Sequence, residues 1–196
     1  MKKLCWLLPI AFILSACPFE SNVPLSHSPA EPIDSNLMGY WYGIVKDGSD
    51  FFGIEALEIT SKSDSTYSIT RYGKAAKGDI ILPDTSYFTG YISYIGEQRF
   101  MNLESSIISF QKKGKKAAVE IKQKIFYIAN FERRHDTLSM KTISENFPHP
   151  YTGFRTPEDL KQAVLSFSDQ PKKIYDDLYS LSYRKIPKPV PLKHFE

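Results

Sequence analysis

The chain has 196 residues, 42% of them hydrophobic, 24% charged and 14% aromatic, with 13 Pro, 10 Gly and only 2 Cys. That balance excludes a disordered or collagen-like chain, and a single domain of this length buries roughly 70% of its unfolded surface, enough for a core without disulfide or metal support. The formal net charge of +3 falls to +1 once Lys2 and Lys3 are set aside with a cleaved N-terminal segment, too weak a charge to favour nucleic acid as a partner.

Met1, Lys2 and Lys3 precede an apolar run at 4–14 and then Ser15, Ala16 and Cys17, the order of charged, apolar and small-residue regions in a secretion signal. The run is 11 residues long and contains Pro9, whereas a bilayer crossing needs about 20 apolar residues, so no lasting span is expected. Leu14, Ser15, Ala16 and Cys17 resemble the lipobox of bacterial lipoproteins. The resemblance implies that residues 1–16 are a signal peptide, that Cys17 is acylated, and that the membrane is met through this N-terminal lipid anchor. Pro18, where Asp would favour the inner membrane, implies the outer membrane, facing the periplasm or the cell surface. Cys5 leaves with the signal, so no free thiol and no disulfide remain. Residues 18–36 hold Pro18, Pro24, Pro29 and Pro32 among several Ser without apolar periodicity. With Cys17 they are expected to form a flexible tether, reaching roughly 25 Å as a coil and roughly 60 Å as polyproline II.

From residue 37 onward, segments dense in Tyr, Phe, Ile and Thr are separated by Gly, Asp, Ser or Lys clusters at the spacing of an antiparallel all-β fold. Predicted strands cover 37–46, 52–60, 66–72, 86–95, 98–103, a short piece within 104–116, 119–131 and 137–143. In the second, the alternation slips between Ile54 and Leu57 in the manner of a bulge. Residues 73–84 are expected to be a loop. Within 86–95, Phe88, Ile92 and Tyr94 share one face with Gly90, and Tyr87, Thr89 and Tyr91 the other, so aromatics line both faces. Thr156, Pro157, Glu158 and Asp159 mark a helix start, and Leu160, Ala163, Val164 and Phe167 supply its apolar stripe near 157–168. Residues 174–186 predict a helical turn leading into a final strand, and Pro187, Pro189 and Pro191 an extended tail at 187–196. The domain at 37–186 is therefore expected to be mainly β: an antiparallel barrel or sandwich of seven to eight strands with one C-terminal α-helix.

Gly39, Tyr40 and Trp41 on the first strand resemble the G-x-W signature of lipocalins, and seven or eight antiparallel strands followed by a helix are similar to that architecture. The resemblance implies a structural role for both residues, with Trp41 plugging the closed end of a barrel and Gly39 allowing a close backbone approach. The pattern departs from the family in lacking a T-D-Y element and an Arg assignable to stacking on Trp41.

No G-x-G-x-x-G, P-loop or G-x-S-x-G occurs, which removes the motif-based cases for nucleotide binding and α/β-hydrolase chemistry. His27, His135, His149 and His194 are scattered, none with a second His or Cys at metal-ligand spacing, so no catalytic residue, metal or cofactor is expected. Between Lys112 and Arg134, eight basic residues face only Glu120 and Glu132. Lys112, Lys113, Lys115 and Lys116 are the candidates there for contact with an anionic membrane surface, against the plainer reading of a solvated hairpin end. The expectation is a non-enzymatic lipoprotein whose barrel takes an apolar or amphiphilic envelope molecule. Its competitor is a structural or assembly partner of envelope proteins with no small-molecule ligand.

Overall fold

The computed structural model describes residues 18–47, 51–77, 80–111 and 119–189. Eight strands, β1 (Gly39–Asp47), β2 (Phe51–Ser61), β3 (Tyr67–Lys77), β4 (Ile80–Ile95), β5 (Gln98–Gln111), β6 (Val119–Arg134), β7 (Thr137–Ile143) and β8 (Tyr175–Ile186), close in chain order into one antiparallel barrel. Between β7 and β8 lie α1 (Pro157–Ser166) and a single turn, α2 (Pro171–Ile174). Thr156 caps α1: its Oγ1 accepts from the Asp159 N–H at 3.1 Å, and the Asp159 carboxylate accepts from the Thr156 N–H at 3.1 Å.

The wall is complete over only part of its height. β4 and β5 pair from Ile95–Gln98 up to Thr89–Glu104 and no further, and β1 meets β8 only from Tyr40–Ile186 to Gly43–Tyr183. Beyond that level β1 to β4 stay hydrogen-bonded as one leaf, and β5 with β6 as a separate ribbon. The closed end is packed solid. Alternation turns Trp41, Leu57, Ile59, Ile69, Ile92, Met101, Phe131, Leu138 and Tyr183 inward into one buried cluster. Segment 31–37 lies across the bottom, where the Ile33 N–H donates to the Asp64 carbonyl at 2.9 Å and the Asp34 N–H to the Tyr67 hydroxyl at 2.6 Å. Arg99 pairs with Glu31 there and lies 4.8 Å over the Phe131 ring.

Residues 18–36 are not a tether. The Phe19 N–H donates to the Ile143 carbonyl at 2.8 Å, Ser21 and Phe126 exchange backbone bonds at 2.9 and 2.8 Å, and the Ala30 N–H meets the Ile92 carbonyl at 2.8 Å. The physical reason is apolar area. Ile95, Phe100, Phe126 and Ile128 form a second cluster outside the inner core, buried under Phe19 and Leu25 of this segment and under Phe147, Phe154, Leu160, Val164 and Ile174 of the β7–β8 connection. Leaving that wall in water would expose several large side chains, at roughly 1.5–3 kcal/mol each. Aromatics on both faces of β4 to β6 thus reflect two cores on one sheet.

Other boundaries shift too. β2 keeps unbroken register with β1 and β3, so the slip at Ile54–Leu57 is no bulge; Glu55 simply occupies an inward position. The irregularity lies instead between Lys141 and Ile143. The expected loop at 73–84 is largely strand, since β3 runs to Lys77 and β4 starts at Ile80. Likewise β5 continues as one strand to Gln111. Cys17, residues 1–16 expected as a signal peptide, the lysines at 112–116 and residues 190–196 lie outside the described residues.

Candidate functional site

At the closed end Trp41 is fully buried, and its indole N–H donates to the Leu37 carbonyl at 2.8 Å. The cation over its ring is a lysine: the Lys185 ammonium stands 5.2 Å from the ring and donates to the Asn36 carbonyl at 3.0 Å. Gly39, at φ +120°, makes room for the lysine stem, because a Cβ there would meet Lys185 Cε at 3.2 Å. Trp41 is thus enclosed in the core, and Gly39 is half-buried against the Lys185 stem.

Directly above the inner core lies a polar layer. Glu55 on β2 is 5% exposed, and its carboxylate accepts from Arg71 Nε on β3 at 2.7 Å and from the Tyr183 hydroxyl on β8. The register explains how three strands converge. Tyr183 is paired to Gly43, Gly43 to Glu55, and Glu55 to Gly73, so glycines clear a lane on either side of the carboxylate. A Cβ on Gly43 would stand 2.9 Å from Tyr183 Cδ1, so the tyrosine reaches across β1 only because that position is bare. Burial holds the Tyr183 hydroxyl well above 10, reinforced by the Glu55 charge. Removing either of its two donors would leave the buried carboxylate short of a partner, an arrangement that costs far more than an exposed pair returns.

Past this layer the inward rows change character. Ile107 on β5 and Ile121 on β6 continue the rows of Leu103 and Ile125, yet they are 39% and 38% exposed, whereas Leu103 and Ile125 are buried. Tyr127, edge-on to Phe88 at 5.9 Å, donates to Glu20 of the N-terminal segment at 2.8 Å. The concave side beyond Glu55 and Arg71 is therefore reached by solvent at Ile107 and Ile121, which alternate with Ser105 and Gln123 in the same inward rows above the charged floor. A separate outer cleft of about 490 Å³ lies between the Gly96–Glu97 turn and the two helices.

The basic stretch does not form one patch within the described residues. Lys122 and Lys124 lie in the ribbon, with Lys124 paired to Glu104 at 2.8 Å, whereas Arg133 and Arg134 end the 16-residue β6 at the opposite end of the barrel. No group of three or more His, Cys, Asp or Glu able to hold a metal occurs among the described residues. The sequence reading missed Glu55, Arg71 and Tyr183; the one trace of them was a lone carboxylate at an inward position of a strand. No protein-family model, curated protein or solved structure matches the chain, so its likeness to lipocalins rests on the barrel and on Gly39 and Trp41 alone.

Proposed function

We propose that this chain is a lipid-anchored outer-membrane protein, a binding protein rather than an enzyme, that takes an amphiphilic envelope molecule into the open half of its barrel. The apolar part of that molecule lies against Ile107 and Ile121, and its polar head meets the layer built by Arg71 and Glu55. One observation carries the reading: inward-facing isoleucines that stay solvent-accessible above a floor already closed by a filled core. The buried cluster of the lower half directs the ligand to the upper half of the barrel.

The test is native mass spectrometry of residues 18–196 with an organic extract of the same sample. A stoichiometric copurifying amphiphile that is lost in Ile107→Asp supports the reading, and a clean apo mass in a folded sample sinks it. Cys17→Ser should yield an unacylated, uncleaved precursor; acyl label on that variant would refute the lipobox.

A second reading, a partner of envelope proteins without ligand, is favoured by the outer face of β1 to β4. There Ile44, Ile54, Tyr72 and Tyr87 are exposed, with Tyr40 and Tyr72 donating to Glu58 at 2.5 and 3.0 Å. Crosslinking in cells through this face should then return one discrete protein.

A further inference from the structure

With Cys17 acylated, as in the proposed function, lipid lies one peptide bond from Pro18, the two Cα atoms being about 3.8 Å apart. Pro18 has no slack. It pairs with Ser144, and the next residue, Phe19, is 4% exposed with its N–H on the Ile143 carbonyl. A body fixed this close to its anchor cannot stand clear of the bilayer; whatever surrounds Pro18 faces the lipid.

What surrounds it is one built loop. Phe147 and Phe154 are buried against the Phe19 ring, with centroids 5.8 and 6.1 Å away. Asn22, three residues along from Phe19, staples the far side of the loop: its amide N–H donates to the Phe154 carbonyl at 2.6 Å and its oxygen accepts from the Phe154 N–H at 3.1 Å. The Gly153 N–H closes the tip on the Pro150 carbonyl at 2.9 Å, and Gly153 has a φ of +74°. His149 packs on Phe19 at 4.6 Å, between Pro148 and Pro150. From this rigid platform Tyr151 projects wholly into solvent, at 105% exposure.

A stiff loop that presents one aromatic ring with a polar tip beside a lipid anchor fits the headgroup layer of a bilayer, where such rings are enriched. The exposed charges flanking the loop, Glu145 and Arg155, cancel, so the contact is aromatic rather than Coulombic. We propose, on the footing of an acylated Cys17, that the loop around Pro148 and Tyr151, together with Pro18, is the membrane-docking face of the protein, with Tyr151 seated among the headgroups. Since Pro18 and Ser21 lie at the seam of β6 and β7, and β2 and β3 stand across the eight-stranded ring from it, the tyrosine face of β1 to β4 then points away from the lipid.

Two single substitutions test this in the full-length chain, processed by a diderm host and purified from its membranes. Trp6 leaves with the signal and Trp41 is fully buried, so Tyr151→Trp adds one reporter at the loop and Tyr72→Trp one on the opposite wall. The mass of the purified protein is read first, and then its emission in phosphatidylcholine vesicles containing lipids brominated near the headgroup. Expected are an acylated mass, loss and blue shift of the emission added by Tyr151→Trp, and no change in that added by Tyr72→Trp, with the same result when anionic lipid is included. Acylated protein with no loss at position 151, or equal loss at both positions, overturns the docking face and leaves the anchor standing. Protein without acyl mass overturns the anchor and the docking face together.

Discussion

Tyr183 crosses the bare backbone of Gly43 to reach a carboxylate two strands away, and its hydroxyl is useful there only while protonated. Burial also pushes the Tyr91 and Tyr175 hydroxyls up to about 12, from an ordinary value of 10.0. Because the folded state holds these protons more tightly than the unfolded chain, their contribution to stability is complete below about pH 10 and is lost as pH rises through the folded values. Melting temperatures should therefore be level towards pH 10 and fall above it, accompanied by a late rise in tyrosinate absorbance. Tyr183→Phe should cost about 1.5–3 kcal/mol near neutrality, read by denaturant unfolding, because a buried charged acceptor loses its donor. It should also soften the alkaline fall. None of this was legible as a motif: Glu55 and Tyr183 are 128 residues apart, and only the register brings them together. By contrast Gly39 and Trp41 were legible because they lie two positions apart on one strand.

Among the elements, α1 announced itself locally, through Thr156, Pro157 and the acidic first turn, all within one turn of chain. The N-terminal cover did not. It is neither helix nor strand, so its buried residues, Phe19, Leu25 and Leu37, follow no period, and its prolines read as a sign of mobility. Such a segment is held by partners met one at a time: the Leu25 N–H donates to the buried Asn102 side chain at 2.7 Å, and the Tyr91 hydroxyl to the Ser26 carbonyl at 2.6 Å. Phe19→Ala distinguishes a tether from a packed cover. A tether residue would leave stability unchanged, whereas a ring packed on Phe147 and Phe154 should cost about 3–5 kcal/mol in chemical denaturation.

For the molecule as a whole, the contrast is between a packed ring and the leaf and ribbon that rise from it. The spacing of β-favouring segments carried a mainly β fold of seven to eight strands, barrel or sandwich, and the closed eight-stranded ring decides for the barrel. The same spacing also led to loops being expected at 73–84 and a break within 104–116, where polar residues and Lys interrupt the β pattern. The described parts of those stretches run beyond the inner core, where the wall has less apolar area to cover, and so their sequences look like turns although the backbone at 73–77, 80–84 and 104–111 stays paired. Amide hydrogen exchange should follow the same division. The slowest amides should belong to the ring around Ile92, Met101 and Ala129, and faster ones to β5 and β6 beyond Glu104, whose ribbon lacks a neighbour on the β4 side. Uniform protection along β5 would contradict a wall that opens above the ring.

The seam beside β6 is finished by Ser21 of a segment that begins one residue beyond the proposed cleavage point, and this sets an order of events. A peptidase needs its target stretch extended and unburied. Maturation and closure of the barrel therefore compete for the same few residues. On the proposed cleavage and anchor, a chain that folds first would draw the residues beside its processing site, Pro18 to Ser21, into the wall, while one cut first would complete its wall with its anchor already in the membrane. Under the proposed anchor, the last piece of the barrel to be fitted is the piece that export would deliver first, and folding would then wait for maturation.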